Sequence, residues 1–162
     1  MRIERFGRPL LRCTAILLSV GMTLTLGTRN VGAEPGTSSE LTDVTTGEEK
    51  GHVVIAPDAR DRKGEFHAEV TVNVHDLEPN TTYQVWRAID FVPDGIYDPT
   101  APGLEWVEIA TIATSSGGAG EAHFIRGGGL FAGDQFDVVI QVRLNDGVTP
   151  ALESDVMTVT VK

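Results

Sequence analysis

The chain has one cysteine, Cys13, and it lies inside an N-terminal apolar run. Whatever follows that run folds without a disulfide and without thiol chemistry. Basic charge is scarce too: 13 Lys and Arg stand against 23 Asp and Glu, a formal net charge of −10. Five of those basic residues and one acid precede Glu34, so the remainder carries a net charge of −14. A surface of that sign repels phosphates, which excludes nucleic acid as an expected partner, and it is disfavoured at anionic membranes. It keeps an exported protein dispersed. No helical periodicity is visible beyond the N-terminal run, and no 20–50-residue repeat. Catalytic signatures are also missing. Ser38-Ser39 and Ser115-Ser116 have no G-x-S-x-G around them. The glycine runs near Gly117 and at Gly127–Gly129 have neither a following helix nor a placed lysine to cradle phosphate.

What is present begins with the leader. Arg2, Arg5, Arg8 and Arg12 precede the apolar run Cys13–Leu26, and Val31-Gly32-Ala33 has the small-residue form that signal peptidase accepts. As a helix the run rises about 21 Å, short of the roughly 30 Å hydrocarbon core. Residues 1–33 are therefore expected to be a cleaved signal peptide. The product would be secreted or periplasmic, with no stable membrane insertion. Cys13 opens the run, the wrong end for a lipidated cysteine, and no Arg-Arg pair suggests twin-arginine export. Residues 34–50, EPGTSSELTDVTTGEEK, are polar and aperiodic and are expected to be a disordered linker. Residues 51–162 suffice for one cored domain.

That domain reads as strands. Phe66, Ala68, Val70, Val72 and Val74 alternate with His67, Glu69, Thr71 and Asn73, one face dry and one wet. Phe136, Val138, Ile140, Val142 and Leu144 alternate in the same way within 135–144, with Val139 the exception. A run at 52–56, three weaker runs at 83–89, 106–113 and 121–125, and a last one at 156–161 complete the set. Asn145-Asp146-Gly147 and the SSGGAG stretch at 115–120 are turn chemistry. The expectation is all-β: a two-sheet antiparallel sandwich of about seven strands.

Leu77, Pro79, Thr81 and Tyr83 have the spacing L-x-P-x-T-x-Y. This resembles the corner of fibronectin type III and related immunoglobulin-like sandwiches. The resemblance implies an immunoglobulin-like fold in which Leu77 plugs the core, Pro79 fixes the bend, and the Tyr83 hydroxyl bonds to backbone just upstream. The position differs from that family, where two strands follow the corner; here four expected strands follow it.

The segment 90–103, DFVPDGIYDPTAPG, is long for a sandwich connection. Asp90, Asp94 and Asp98 recur every four residues in it, and an acidic turning loop suits Ca²⁺. The spacing is not that of an EF-hand, and Asp is also an ordinary turn former. Phe91 and Tyr97 on this loop, Trp106 after it and Trp86 before it form a candidate apolar patch for a protein or carbohydrate partner. Four histidines remain, but His67 and His75 lie about 27 Å apart along one strand and cannot share an ion. The expected function is an exported binding or accessory module with no catalytic site and no required cofactor. A Ca²⁺-stabilised envelope or matrix protein and a small carboxylate-based hydrolase are the alternatives.

Overall fold

The computed structural model describes residues 36–57, 66–98 and 104–161, all within the unit Glu34–Lys162. The expected signal peptide, residues 58–65 and part of the 90–103 loop lie outside the described residues. Among the described residues there are nine strands: β1 (Thr37–Asp43), β2 (Glu49–Pro57), β3 (Phe66–Val74), β4 (Thr82–Asp90), β5 (Val107–Ala113), β6 (Gly120–Gly128), β7 (Gln135–Leu144), β8 (Pro150–Ser154) and β9 (Met157–Thr160). All of their pairings are antiparallel.

The protein is all-β, but it is not divided into two sheets of about seven strands. One sheet runs β5-β4-β7-β8-β1-β2-β3-β6, with β9 also on β7. It curls until its two end strands, β5 and β6, come into contact, so it is a nearly closed barrel. Among the described residues no ladder joins β5 to β6. That seam is a break in the wall, and closing a sheet is how an all-β domain removes its exposed edges.

The expected linker 34–50 is also corrected. It contains β1, which fills the gap between β2 and β8, and it ends inside β2. The period-two signal there has a single apolar member, Leu41, which is fully buried. Pairing on both sides, rather than an apolar stripe, makes this segment a strand. β8 and β9 lie one after the other along β7. Where the ladder changes partner, the Ile140 N–H donates to the Ser154 hydroxyl oxygen at 2.9 Å, so no buried donor is orphaned.

The alternating residues of β3, and Phe136, Val138, Ile140 and Val142 of β7, point into the barrel and form its core with Val53, Ile55, Val85 and Ile112, while Leu144 at the end of β7 is exposed. β7 is buried on both faces from Phe136 to Val142. That accounts for Val139: it faces outward opposite Ala88, yet both are covered. At one barrel end the expected corner forms. The Glu78 N–H donates to the Tyr83 hydroxyl at 3.2 Å. Thr114, from the end of β5, accepts from the Thr81 N–H at 2.9 Å and donates to the Glu78 carbonyl at 2.7 Å. Gly118 in the β5–β6 turn has φ +77°, and a Cβ there would meet the Leu77 carbonyl at 2.3 Å, so only glycine lets the turn lie against the corner.

Candidate binding site

The opposite end of the barrel is different. There β2, β4 and β6 finish and β3, β5 and β7 begin. A cavity of about 320 Å³ lies among Ile55, Phe66, Ala68, Val70, Ile89, Ile109, Phe136, Val138 and Ile140. Phe66 and Phe136 meet edge to face across it, ring centroids 5.5 Å apart. Phe91, 63% exposed, and Leu130 stand at its rim. Among the described residues no lining side chain carries a hydroxyl, amide or carboxylate.

Two lining side chains are charged, and both are cationic: Arg87 and Arg126. Strand register puts both on the inner face. Arg87 follows Tyr83 and Val85 at two-residue spacing on β4 and pairs with Ile140. Arg126 follows Ala122 and Phe124 on β6 and pairs with Ala68. Arg126 lies over the Phe124 ring, 5.6 Å from its centroid, and donates to the Ile109 carbonyl of β5. It therefore bridges the seam where no ladder exists. Arg87 is partly buried. Loss of solvent, and then the charge of Arg126, hold its guanidinium below the ordinary arginine value. The ion pairs present among the described residues are Lys50–Asp43 and His75–Asp76, and neither includes these arginines.

The candidate residues of the sequence divide between two places. Trp86, Tyr97 and Trp106 come together on the outer face of β4 and β7, beneath the β4–β5 loop. Arg143 lies between the indoles, 4.7 Å from the Trp86 ring and 4.6 Å from that of Trp106, and Tyr97 meets Trp106 at 5.9 Å. Arg143 also donates to Gln141 Oε1 at 2.8 Å and to the Gly147 carbonyl at 3.0 Å. This is a stack that fastens the loop and the β7–β8 turn to the sheet, with both indoles packed on Arg143. Phe91 is not part of it. It belongs to the cavity rim instead.

Asp90, Asp94 and Asp98 are not gathered either. Among the described residues no group of three or more His, Cys, Asp or Glu is placed to hold a metal. Asp90 accepts from the Val92 N–H at 2.9 Å, and Asp94 from the Ile96 N–H at 2.9 Å, which is turn geometry. The residue that secures this loop is one the sequence reading passed over. Asp137 on β7, 2% exposed, accepts from the Gly95 N–H at 2.7 Å and from the Thr158 hydroxyl at 2.5 Å. Asp90 and Asp137 are cross-strand partners, but their carboxylates are committed to these donors.

Arg87 and Arg126 were also passed over, although the sequence carries their mark. Each is a lone arginine at an inward parity, in TYQVWRAID and in EAHFIRGGG. A basic residue on the apolar side of a strand is the informative exception to burial rules. No family model matches the sequence, and no curated protein and no solved structure is significantly similar to it.

Proposed function

We propose that this protein is an exported immunoglobulin-like binding or accessory module that takes a small apolar ligand inside its barrel, and that it is not an enzyme. The observation that carries the reading is the 320 Å³ cavity, whose wall is apolar apart from two arginines. Small-molecule sites are concave, mostly apolar and marked by a few polar groups. Export is supported by the basic and apolar order of residues 1–33. The immunoglobulin-like kinship is supported by the corner and its Glu78–Tyr83 bond. Against catalysis, Asp90 and Asp137, paired across β4 and β7, hold main-chain donors under a loop and do not line the cavity. The aromatic cluster around Arg143 serves the scaffold, so the ligand surface moves from the loop to the barrel interior.

A neutral fluorescent hydrophobe, N-phenyl-1-naphthylamine, tests the reading. It should bind the purified protein saturably, with one site. Gly128 lies opposite Phe66 on the cavity wall, and a Cβ placed there meets nothing within 4 Å. Gly128→Phe should therefore fold, fill the mouth and abolish the saturable signal. A wild-type protein with no saturable site, or a Gly128→Phe variant that binds the probe unchanged, would sink the proposal.

A further inference from the structure

We infer that the ligand is an apolar carboxylic acid of modest size, bound as its carboxylate between Arg87 and Arg126. The inference rests on the cavity being a binding site and names what it selects. Two guanidinium groups of like charge share one cavity wall, and among the described residues nothing acidic lines it. Taking a cation out of water without a counter-charge is costly, and a partly buried arginine is ordinarily paired. Here the second cation makes matters worse for the first. An anion entering the cavity relieves both costs at once.

The chemistry of the head group follows from the donors. Arginine presents a planar fork that matches a carboxylate or phosphate oxygen pair. Arg126 has already committed one donor to the Ile109 carbonyl, and the rest of the wall offers no hydroxyl or amide side chain. A carboxylate has one charge and two oxygens, which two guanidinium groups satisfy. A phosphate monoester brings a third terminal oxygen that the remaining guanidinium donors could also meet, but its bulkier head takes more of a cavity of about 320 Å³, so the smaller carboxylate is the better fit.

The body of the ligand follows from the remaining wall. Ile55, Val70, Phe136, Val138 and Ile140 accept hydrocarbon and nothing polar. At about 320 Å³ the cavity lies at the small end of the roughly 300–1,000 Å³ range of ligand sites, so a medium-length acid fits better than a long one. Arg126 sits at the unzipped β5–β6 seam, which places the charged head beside solvent and the apolar body inward.

Displacement of N-phenyl-1-naphthylamine by octanoate, octanol and octyl phosphate tests this. In the wild type octanoate should displace the probe at least tenfold more tightly than octanol, and more tightly than octyl phosphate. In Arg87→Met, and separately in Arg126→Met, the ratio of octanoate to octanol affinity should fall towards one, each variant being its own reference. The second variant keeps the test decisive if the first does not melt cooperatively. Octanoate and octanol displacing equally in the wild type would overturn the carboxylate and leave the binding reading standing. Octyl phosphate displacing better than octanoate would overturn it too. A probe with no saturable site would overturn both readings.

Discussion

The backbone N–H of Glu78 donates to the phenolic oxygen of Tyr83, five residues on, at 3.2 Å. Tyr83 is 3% exposed, so its hydroxyl is satisfied only by what the corner provides. The chain bends here through Asn80, whose φ is +53°. Its neighbouring carbonyls and amides are collected by Thr114 from the far side. The corner is thus a three-way junction of β4, β5 and the β5–β6 turn.

Tyr83→Phe keeps the ring and removes the acceptor. The Glu78 N–H is then left against a dry wall, and a lost bond of this kind costs about 1 kcal/mol. Urea unfolding should show a lower midpoint with an unchanged slope, because the surface exposed on unfolding is the same. A midpoint equal to the wild type would mean that water replaces the bond.

The turns at the same barrel end set the acid behaviour. Asp43 accepts from the Thr45 N–H at 2.8 Å, the Thr46 N–H at 3.0 Å and Lys50 Nζ at 2.7 Å. The Lys50 bond first, and then the two amides, bring its carboxyl down to about 2 from an ordinary 3.8. The amides of Thr149 and Val148, then the Thr149 hydroxyl, lower Asp146 in the same sense. In both, the folded chain binds its proton less readily than the unfolded chain. Their contribution is complete above the ordinary carboxylate value and is lost as pH falls through the folded values. Stability should therefore drop between about pH 4 and pH 2, read as urea midpoints. The double variant Asp43→Asn, Asp146→Asn should be less stable at neutral pH and show a shallower fall. An equally steep fall would assign the acid sensitivity elsewhere.

How much of this was legible depends on what each residue had to announce. β3 and β7 were plain because one face of each is dry, and alternation is the direct imprint of that. The Tyr83 corner was legible because its spacing and its chemistry coincide. β1 was not, since Leu41 is its single buried apolar side chain and its strand state is imposed by neighbours on both sides. Barrel closure was not, because pairing between β1 and β8 links residues more than a hundred positions apart. The loop aromatics were recognised as a group, but rings are drawn together equally by a partner and by an arginine such as Arg143. Arg87 and Arg126 were readable by parity, yet a charged residue in a short weak strand is usually taken as outward.

The loop stack makes a discriminating pair of variants. The Tyr97 hydroxyl is buried near the Trp106 indole and makes no bond of hydrogen-bonding geometry among the described residues. Tyr97→Phe removes an unsatisfied polar atom, so its urea midpoint should equal or exceed the wild type, by less than about 1 kcal/mol. Trp106→Ala removes the ring that both Tyr97 and Arg143 pack on. It should cost about 2 kcal/mol and shift the emission of Trp86 to the red as water reaches it. A destabilised Tyr97→Phe would reveal a partner for the hydroxyl.

Arg87 carries the last prediction, because a side chain kept for a ligand should weaken the fold that holds it. It points inward from β4 among apolar residues, is short of solvent, and faces the like charge of Arg126. Its depressed basicity means that its charged form is disfavoured by folding, at every pH below the ordinary arginine range. Replacing an uncompensated interior charge by an apolar chain of similar length removes that cost. Arg87→Met should accordingly raise the urea midpoint of the unliganded protein, for a gain in unfolding free energy of about 1 kcal/mol. Octanoate at one fixed concentration should reverse the order, stabilising the wild type more than the variant, which binds it no better than octanol. A purely structural arginine would behave in the opposite way, with Arg87→Met less stable and octanoate without effect on either protein.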